Sequence, residues 1–426
     1  MNSLFVHCLI GFVALSSIIA KTYASQIPQT ADEMGLMQGS PPEKIIDISQ
    51  WDKGPYNRWA FQHMGEIVPT AIISRGMGAP TILRSAPIDS IAKLTFKTQD
   101  GKQLTVEENL QANYTDSFIV LKNGELVFEK YYNGMTPETR HLLMSVSKSL
   151  TGAIIGNLVE DGKLDPNKKV IEYIPELKSS SGFKDVTVQQ VLDMTTALRF
   201  SEDYADPKAE VVKHEEATGW RGRTEVANLG LFAFAQETKK VERAHGEVFH
   251  YASINTDILG WLIERVSGQR FVDYTSETVW TKLGAERDAQ LSVDFLGSPV
   301  ANGGFVITTR DLARFGQMIL DNGQYNGQQI IPSKWVEDIR ENGQNSAWQP
   351  TKYSKIWPDG FYRNQWYVTK DDQGSFFGVG VNGQHLWINP ATNVVIVKFS
   401  SYPVSADVER GMKDWAMMDA IARSLK

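Results

Sequence analysis

Two β-rich runs joined by a tight-turn dipeptide constrain the fold of this chain more than any other stretch. Residues 117–132 read SFIVLKNGELVFEKYY, and Asn123-Gly124 separates the two runs. This dipeptide favours the two-residue turn of a β-hairpin, because both residues accept a positive φ. The sequence therefore predicts two antiparallel strands here.

Strand patterns return late in the chain, and helical patterns lie between. Residues 376–381, 384–388 and 394–399 alternate or run apolar, as strands do. Helical periodicity is found at 187–192, 226–234, 256–266, 272–283, 312–319, 333–339 and, as an amphipathic closing helix, 408–425. This order predicts an α+β fold in which an antiparallel sheet is flanked by helices.

The same order predicts the domain organisation. Residues 45–164 and 291–426 are expected to form one α/β body, and residues 165–290 a mainly helical subdomain inserted into it. Residues 25–44 are polar and rich in Pro and Gly, which indicates an exposed lead-in. Residues 201–223 are polar and are expected to form a long loop at the rim of an active site.

Residues 1–24 have the features of a secretory signal peptide. An apolar run from Leu4 to Ala20 is followed by small residues, and cleavage is predicted after Ala24. No Lys or Arg precedes the run, and an uncleaved membrane anchor is the alternative. The single cysteine, Cys8, lies in this segment, so a cleaved chain would have neither thiol chemistry nor a disulfide. The predicted location is periplasmic or secreted, with no stable membrane span after cleavage.

Charge and composition limit the partners. The 43 Lys and Arg residues against 50 Asp and Glu residues give a net charge of −7, which does not favour nucleic acid or an anionic membrane. A hydrophobic content of 42% is typical of a globular chain. A small-molecule substrate is expected, and no oligomeric state is predicted.

Ser-x-x-Lys occurs three times, at 90–93, 145–148 and 181–184, so the pattern alone selects no nucleophile. Residues i and i+3 are neighbours on a helix, and the amine therefore reaches the hydroxyl only where a helix follows. Helical periodicity follows Ser145 alone, through Leu150, Ile154 and Leu158, with Gly152 and Gly156 permitting close packing. The alternative is that Ser145 only caps its helix.

Lys148 could accept the serine proton only in its neutral form. A lysine pKa of about 10.4 must fall near 7, which requires roughly 4–5 kcal/mol of destabilisation of the ammonium. An exposed helix N-terminus supplies at most about 1 kcal/mol. Burial or a further partner, such as a tyrosine that relays protons, must supply the rest.

A second motif is Phe249-His250-Tyr251-Ala252-Ser253, just ahead of a predicted helix, and a third is Gly380-Val381-Asn382-Gly383-Gln384. With Met144 to Leu150, these motifs resemble the serine β-lactamase and penicillin-binding-protein superfamily. Within it the chain is most similar to class C β-lactamase-like serine hydrolases of the 6-aminohexanoate-dimer hydrolase group. Roughly residues 45–399 take part in the resemblance, which implies a β-lactamase-like fold.

The resemblance implies roles for individual residues. Ser145 would be the acylated nucleophile, Lys148 its proton acceptor, and Tyr251 the group that passes the proton to the leaving amine. The oxyanion hole would use the backbone N–H groups of Ser145 and Val381. No metal or cofactor is implied.

The resemblance also implies a substrate pocket. Tyr204 matches a tyrosine that contacts the substrate amide, and Glu215 lies where an acidic residue could meet a substrate ammonium. The other expected pocket residues are Ser253, Asn382, Gly383 and Trp366, although a core position for Trp366 is equally compatible with the sequence.

The chain departs from the family at three places. Ser253 replaces the asparagine of Tyr-x-Asn, and no Lys or His begins the Gly380 to Gly383 segment. Both changes weaken recognition of a β-lactam carboxylate. Ala197 stands where relatives have glycine, at a position expected to need an unusual backbone angle.

Other functions remain open at this point. The chain has no Gly-x-Ser-x-Gly and no His-Glu-x-x-His, and His214, His245, His250 and His385 are interpreted as structural or rim residues rather than metal ligands. A linear amide, a D-amino-acid peptide and a small ester all suit a Ser-Lys-Tyr site, whereas a β-lactam is disfavoured. The alternative to an enzyme is a catalytically silent envelope binding protein.

Overall fold

The structure is a computed structural model that describes residues 27–426. The predicted signal peptide, with Cys8, lies outside the described residues. Among residues 27–426, none of the helices combines the length and the apolar character that crossing a bilayer requires. The prediction that residues 25–44 form an exposed lead-in is wrong in part. Ala31 and Leu36 are buried against the body, while most of their neighbours are exposed.

The strands form two larger antiparallel sheets and two short ribbons. Their bounds are β1 Thr70–Ile73, β2 Thr95–Lys97, β3 Gln103–Thr105, β4 Thr115–Lys122, β5 Glu125–Tyr131, β6 Arg140–Leu142, β7 Ala289–Ser292, β8 Phe305–Thr308, β9 Gln324–Tyr325, β10 Gln328–Gln329, β11 Phe361–Arg363, β12 Trp366–Val368, β13 Phe376–Gly380, β14 Gln384–Asn389 and β15 Val394–Ser400. The main sheet has the order β11-β12-β13-β14-β15-β4-β5, and the second sheet the order β1-β7-β8-β6.

Helices cover the sheets and fill the middle of the chain. Their bounds are α1 Asn57–Ala60, α2 Met64–Ile67, α3 Val106–Ala112, α4 Val146–Glu160, α5 Val170–Tyr173, α6 Val188–Leu192, α7 Glu210–Ala217, α8 Glu225–Glu237, α9 Ile254–Ser267, α10 Phe271–Thr275, α11 Thr281–Leu283, α12 Thr309–Leu320, α13 Ser333–Glu341, α14 Asn345–Trp348 and α15 Val408–Ser424. Short 3₁₀ turns occupy Asp89–Lys93, Pro175–Ser179, Lys352–Lys355 and Val381–Gly383, and a π-helical turn, Ser276–Trp280, joins α10 to α11. The α+β prediction is confirmed.

The predicted hairpin forms the edge of the main sheet. Lys122 pairs with Glu125, and Asn123 and Gly124 have φ values of 52° and 76°, as the tight turn requires. Strand β4 then pairs with β15 from near the end of the chain. This pairing joins early and late parts of the sequence in one sheet.

The second sheet was not predicted from the sequence. Its strands are only three or four residues long, which is too short for a period-2 pattern to emerge. Strand β6 pairs with β8 and ends three residues before Ser145, so this sheet positions the start of α4. Strand β7 crosses the boundary predicted at 290/291, and that boundary stays a prediction.

Two local predictions were wrong. The rim segment 201–223 is not a continuous loop, because helix α7 occupies its middle and turns Val211, His214 and Ala217 inward at three-residue steps. The unusual backbone angle falls on Met194, with φ of 53°, and not on Ala197.

Helix α4 is buried along most of its length, and its glycines permit this packing. A Cβ on Gly152 would lie 2.2 Å from the carbonyl oxygen of Asn364, and one on Gly156 would lie 2.5 Å from the Trp335 indole. Both positions are too close for any side chain. The close packing predicted from Gly152 and Gly156 is therefore confirmed.

Substitution of Gly152 by alanine should destabilise the protein. Because backbone atoms of Asn364 must move, we expect Gly152→Ala to lower the free energy of unfolding by about 1–3 kcal/mol in urea denaturation. Gly411 in α15 has no atom within 4 Å of an added Cβ. Gly411→Ala is the matched control and should raise the stability by about 0.5–1 kcal/mol. Equal effects of the two substitutions would contradict the packing described.

Candidate active site

Ser145 stands at the junction between the second sheet and helix α4. Met144 before it has a φ of 46°, a left-handed conformation that is rare for a side chain of this size. This turn places Ser145 at the N-cap of α4, although its hydroxyl makes no capping hydrogen bond. The simple capping interpretation is therefore wrong, and the hydroxyl is available to other groups.

Lys148 lies one helical turn after Ser145, and its amine is held by two contacts. The Nζ atom donates to Ser145 Oγ at 2.9 Å and to the backbone oxygen of Asn302 at 2.8 Å. The residue is only 1% exposed. The structure thus brings the predicted nucleophile and proton acceptor into direct contact.

Burial lowers the pKa of Lys148 from its ordinary value of 10.5 to about 8. Desolvation destabilises the ammonium, whereas the negative charges of Glu202 and Asp257 partly stabilise it. About one-tenth of Lys148 is therefore neutral at pH 7, and about half is neutral at pH 8. Burial thus supplies the neutral amine that the sequence could only require.

Tyr251 faces the same pair from just ahead of helix α9. Lys148 Nζ lies 5.2 Å from the centre of its ring. Burial and the nearby charge of Glu202 raise the pKa of Tyr251 well above 10, and interaction with the Ser145 side chain opposes this shift. Tyr251 is accordingly a neutral phenol at pH 7, which can donate a proton.

The end of strand β13 lies against the nucleophile. A Cβ on Gly380 would be 2.9 Å from the backbone nitrogen of Ser145, so only glycine allows this approach. Val381 follows directly and lines the cleft beside Ser145. Within residues 27–426, the Ser145 N–H donates to no protein acceptor. The arrangement suits the oxyanion hole that the resemblance implies.

A buried hydrogen-bond network positions Asn302, whose backbone oxygen accepts a hydrogen bond from Lys148. The Asp257 carboxylate accepts hydrogen bonds from His214 Nε2 at 2.7 Å and from the side-chain amide of Asn302 at 2.9 Å. It also accepts from the Asn302 N–H at 3.1 Å. The sequence did not connect Asn302 with His214, which was interpreted as a structural or rim residue, because no local spacing joins residues this far apart.

Glu202 is a second residue that the sequence missed. Its carboxylate accepts from the Ser253 N–H at 2.6 Å and from the Tyr204 hydroxyl at 2.9 Å. It thereby connects two predicted pocket residues and places a negative charge near Lys148 and Tyr251. Its polar loop was recognised as a rim, but nothing in the sequence distinguished this acid from its neighbours.

Ser145 lies where two recesses meet. The first, which we call the acidic pocket, is narrow, and its lining includes Asp52, Tyr204, Glu215, Ser253 and Asn382. The second, which we call the aromatic groove, is wider, and its lining includes Tyr251, Tyr353, Trp357, Phe377 and Trp415. Gly383 lines the aromatic groove, whereas Ser145 and Val381 line both.

Trp366 is the one predicted pocket residue that the structure places elsewhere. Its side chain is 0% exposed and packs against Phe376, with ring centres 5.4 Å apart. The indole belongs to the core on the α4 side of the main sheet. The expectation that Trp366 binds substrate is therefore wrong, and the core interpretation holds.

Glu215 carries an unusual carboxyl in the acidic pocket. Burial raises its pKa to about 7, with the charge of Asp52 adding to the effect and Arg221 opposing it. Arg221 Nε donates to Glu215 Oε2 at 2.8 Å, and its Nη2 donates to the same oxygen. One carboxylate oxygen is thus engaged with Arg221, and Glu215 still lines the pocket.

Comparison with known proteins identifies the family. The family model described as Beta-lactamase matches residues 105–416. A Paenarthrobacter ureafaciens protein named 6-aminohexanoate-dimer hydrolase is 40% identical over 356 residues, which are 84% of this chain and 88% of that protein.

Solved structures agree with this match. A candidate 6-aminohexanoate-dimer hydrolase from Bacillus anthracis superposes with a TM-score of 0.81 at 30% identity, covering 89% of this chain and 97% of that one. A D-stereospecific amidohydrolase from Streptomyces sp. shares the fold alone, with a TM-score of 0.53 at 13% identity over 70% of this chain and 92% of that one. The chain therefore belongs to the beta-lactamase family, and it is a serine hydrolase.

Proposed function

We propose that this enzyme hydrolyses small linear amides, and esters of similar size, through an acyl-enzyme on Ser145. The observation that carries this proposal is the 2.9 Å hydrogen bond from a buried, largely desolvated Lys148 amine to the Ser145 hydroxyl. The names of the two relatives, both described as 6-aminohexanoate-dimer hydrolases, support the amide class.

In the first step, neutral Lys148 accepts the Ser145 proton as Oγ attacks the substrate carbonyl. The developing oxyanion is stabilised by the N–H groups of Ser145 and Val381, a contribution of about 3–4 kcal/mol for each donor. Tyr251, a neutral phenol, donates its proton to the leaving nitrogen and recovers one from Lys148. The C–N bond then breaks, and the acyl group stays on Ser145.

In the second step, water releases the acyl group. Lys148, neutral again after passing its proton to Tyr251, accepts a proton from the attacking water. The Ser145 ester bond breaks, and the serine oxygen recovers a proton from the same site. Both steps thus use one base and one oxyanion hole, as covalent catalysis requires.

The acidic pocket supports a substrate whose acyl group carries an amine. Glu215 and Asp52 present carboxylates on its walls, and an ionised Glu215 would attract an ammonium. Hydrolysis of a β-lactam gains no support, because no Lys or His begins the segment from Gly380 to Gly383.

We also propose a periplasmic or secreted location, which the signal-like residues 1–24 and the lack of cysteine after them support.

Labelling with a fluorophosphonate probe tests the nucleophile. We expect the wild type to be labelled and Ser145→Ala to lose both labelling and at least about a thousandfold of amide hydrolysis. Ser90→Ala and Ser181→Ala, in the other two Ser-x-x-Lys sequences, are matched controls that should label normally. An unlabelled wild type with an intact circular dichroism spectrum would favour the silent envelope binding protein instead.

Substitution of the two proton-transfer residues should affect chemistry more than binding. We expect Lys148→Ala and Tyr251→Phe each to lower the acylation rate constant at least about a hundredfold, because each removes a proton transfer. Single-turnover kinetics would separate this constant from substrate affinity. Equal losses in rate and affinity, or no loss, would contradict the assigned roles.

The pH dependence should follow Lys148. Only neutral Lys148 accepts a proton, so kcat/KM on an uncharged ester should rise with pH, about tenfold per unit below pH 7, and level off above about 8. Glu202→Gln removes a negative charge that stabilises the ammonium, so it should move this rise to lower pH. Asp203→Asn, in the same loop, is the charge-matched control and should leave the rise in place. A shift of the Glu202→Gln profile to higher pH would reject this electrostatic account.

Recognition of a substrate amine should depend on Glu215. We expect Glu215→Gln to lower kcat/KM for an amine-bearing amide by at least about tenfold, the value of a charged hydrogen bond, and to affect a neutral analogue much less. Glu216→Gln on the same helix is the control, since Glu216 does not line the pocket. Similar losses on both substrates would show that Glu215 acts only structurally.

A further inference from the structure

We propose that the aromatic groove is the leaving-group subsite, and that the enzyme prefers amides and esters whose leaving amine or alcohol carries an aromatic ring on a short apolar chain. This inference rests on the proposed function and adds the substrate class to it. Three independent features of the groove support it.

The first feature is the position of the proton donor. Tyr251 lines the aromatic groove. It is not among the described residues that line the acidic pocket. A general acid must lie within hydrogen-bonding reach of the atom that it protonates. The leaving nitrogen or oxygen must therefore face the groove, and the acyl group extends into the acidic pocket.

The second feature is the wall of rings. Phe377 packs against Tyr367, Trp357 and Trp415, with ring centres 5.2, 5.2 and 5.8 Å apart. Trp357 and Trp415 are tilted to each other by 52° at 4.9 Å. Rings in tilted or stacked contact favour a further ring among them. The groove encloses about 460 Å³, enough for a phenyl ring and a short chain.

The third feature is the state of the charged groups. Both Glu202 oxygens already accept hydrogen bonds, and Asp407 pairs with Arg410 at 3.1 Å. His385 on the floor is buried, and burial lowers its pKa to about 4, so it is neutral at pH 7. Among the described residues that line the groove, the one remaining charged group is Lys352, an exposed cation at the mouth. Among the described residues, the interior of the groove therefore offers a leaving-group carboxylate no cation, which favours a neutral ring.

A leaving-group series tests the proposal. With a fixed 6-aminohexanoyl group, the amides of methylamine, 6-aminohexanoate and 3-phenylpropylamine would be compared. We expect kcat/KM to be greatest for the phenylpropyl amide, by on the order of tenfold or more over the methylamide, because burying a phenyl-sized group favours the bound transition state. A flat series, or a preference for the carboxylate-bearing leaving group, would overturn the proposal.

A reverse series tests which recess holds the ring. With methylamine as the fixed leaving group, acyl groups with and without a terminal phenyl ring would be compared. We expect no gain from a ring on the acyl side, because the acidic pocket is narrow and polar. A larger gain on the acyl side than on the leaving side would place the ring in the wrong recess and reject the assignment.

Groove variants connect the preference to named residues. Trp357→Ala should lower the ratio of phenylpropyl to methyl amide kcat/KM about tenfold. Ile356, 43% exposed at the same wall, offers Ile356→Ser as a second variant that does not disturb the core, with a smaller fall in the ratio. Ile82→Ser, at an 88% exposed position outside the groove, is the control and should leave the ratio unchanged. An unchanged ratio in Ile356→Ser and Trp357→Ala would overturn the proposal.

Two results would distinguish a failure of the leaving-group inference from a failure of the proposed function. If the ratio is flat while hydrolysis of all three amides still requires Ser145, the leaving-group inference is wrong and the proposed function stands. If hydrolysis persists in Ser145→Ala, the proposed function itself is wrong.

Discussion

The buried contact between the Lys148 amine and the Ser145 hydroxyl sets the requirements that the surrounding structure must meet. Reduction of a lysine pKa from 10.5 to about 8 costs the folded protein roughly 3 kcal/mol of ammonium destabilisation. Lys148 is only 1% exposed, and it lies on helix α4, which Gly152 and Gly156 let approach other backbone and a tryptophan ring directly. Burial, and not a neighbouring positive charge, therefore lowers the pKa of Lys148.

Two acids limit how far the lysine is deprotonated. Glu202 and Asp257 each stabilise the ammonium, and each also performs a positioning task through hydrogen bonds. Asp257 fixes Asn302, whose carbonyl oxygen holds Lys148, and Glu202 fixes Ser253 and Tyr204. The two acids therefore reduce the neutral fraction of Lys148 at a given pH, while they hold the site in a defined geometry. Tyr251 is held in its protonated form, because burial keeps its phenol neutral.

The sequence predicted what depends on short spacing, and it failed where contacts join distant segments. The hairpin at Asn123-Gly124, the helix after Ser145 and the late strands all follow from local patterns. The second sheet escaped because its strands are too short for periodicity. Glu202, Asp257 and Asn302 escaped because their roles exist only once the chain is folded. Trp366 was equally compatible with the pocket and the core from sequence alone, and only the direction of its side chain on β12 decides between them.

Ser145 lies between two recesses of different chemistry, so the two ends of the site are not equivalent. The narrow recess carries acids, the wide one carries rings, and Tyr251, the proposed proton donor, lines the wide one. We therefore expect a substrate to be oriented by different chemistry on the two sides of its carbonyl before the bond to Ser145 forms. Such orientation is worth several kcal/mol of the barrier when the reacting atoms are held in contact.

Burial should make Lys148 lose its proton well below the pH at which an ordinary lysine does. An NMR titration of the protein labelled with carbon-13 at the lysine side chains measures this directly, with Lys148→Ala identifying the signal. We expect one lysine signal that titrates near pH 8 in the wild type and is missing in the variant. A Lys148 signal that titrates only at the ordinary lysine value, above pH 10, would contradict it.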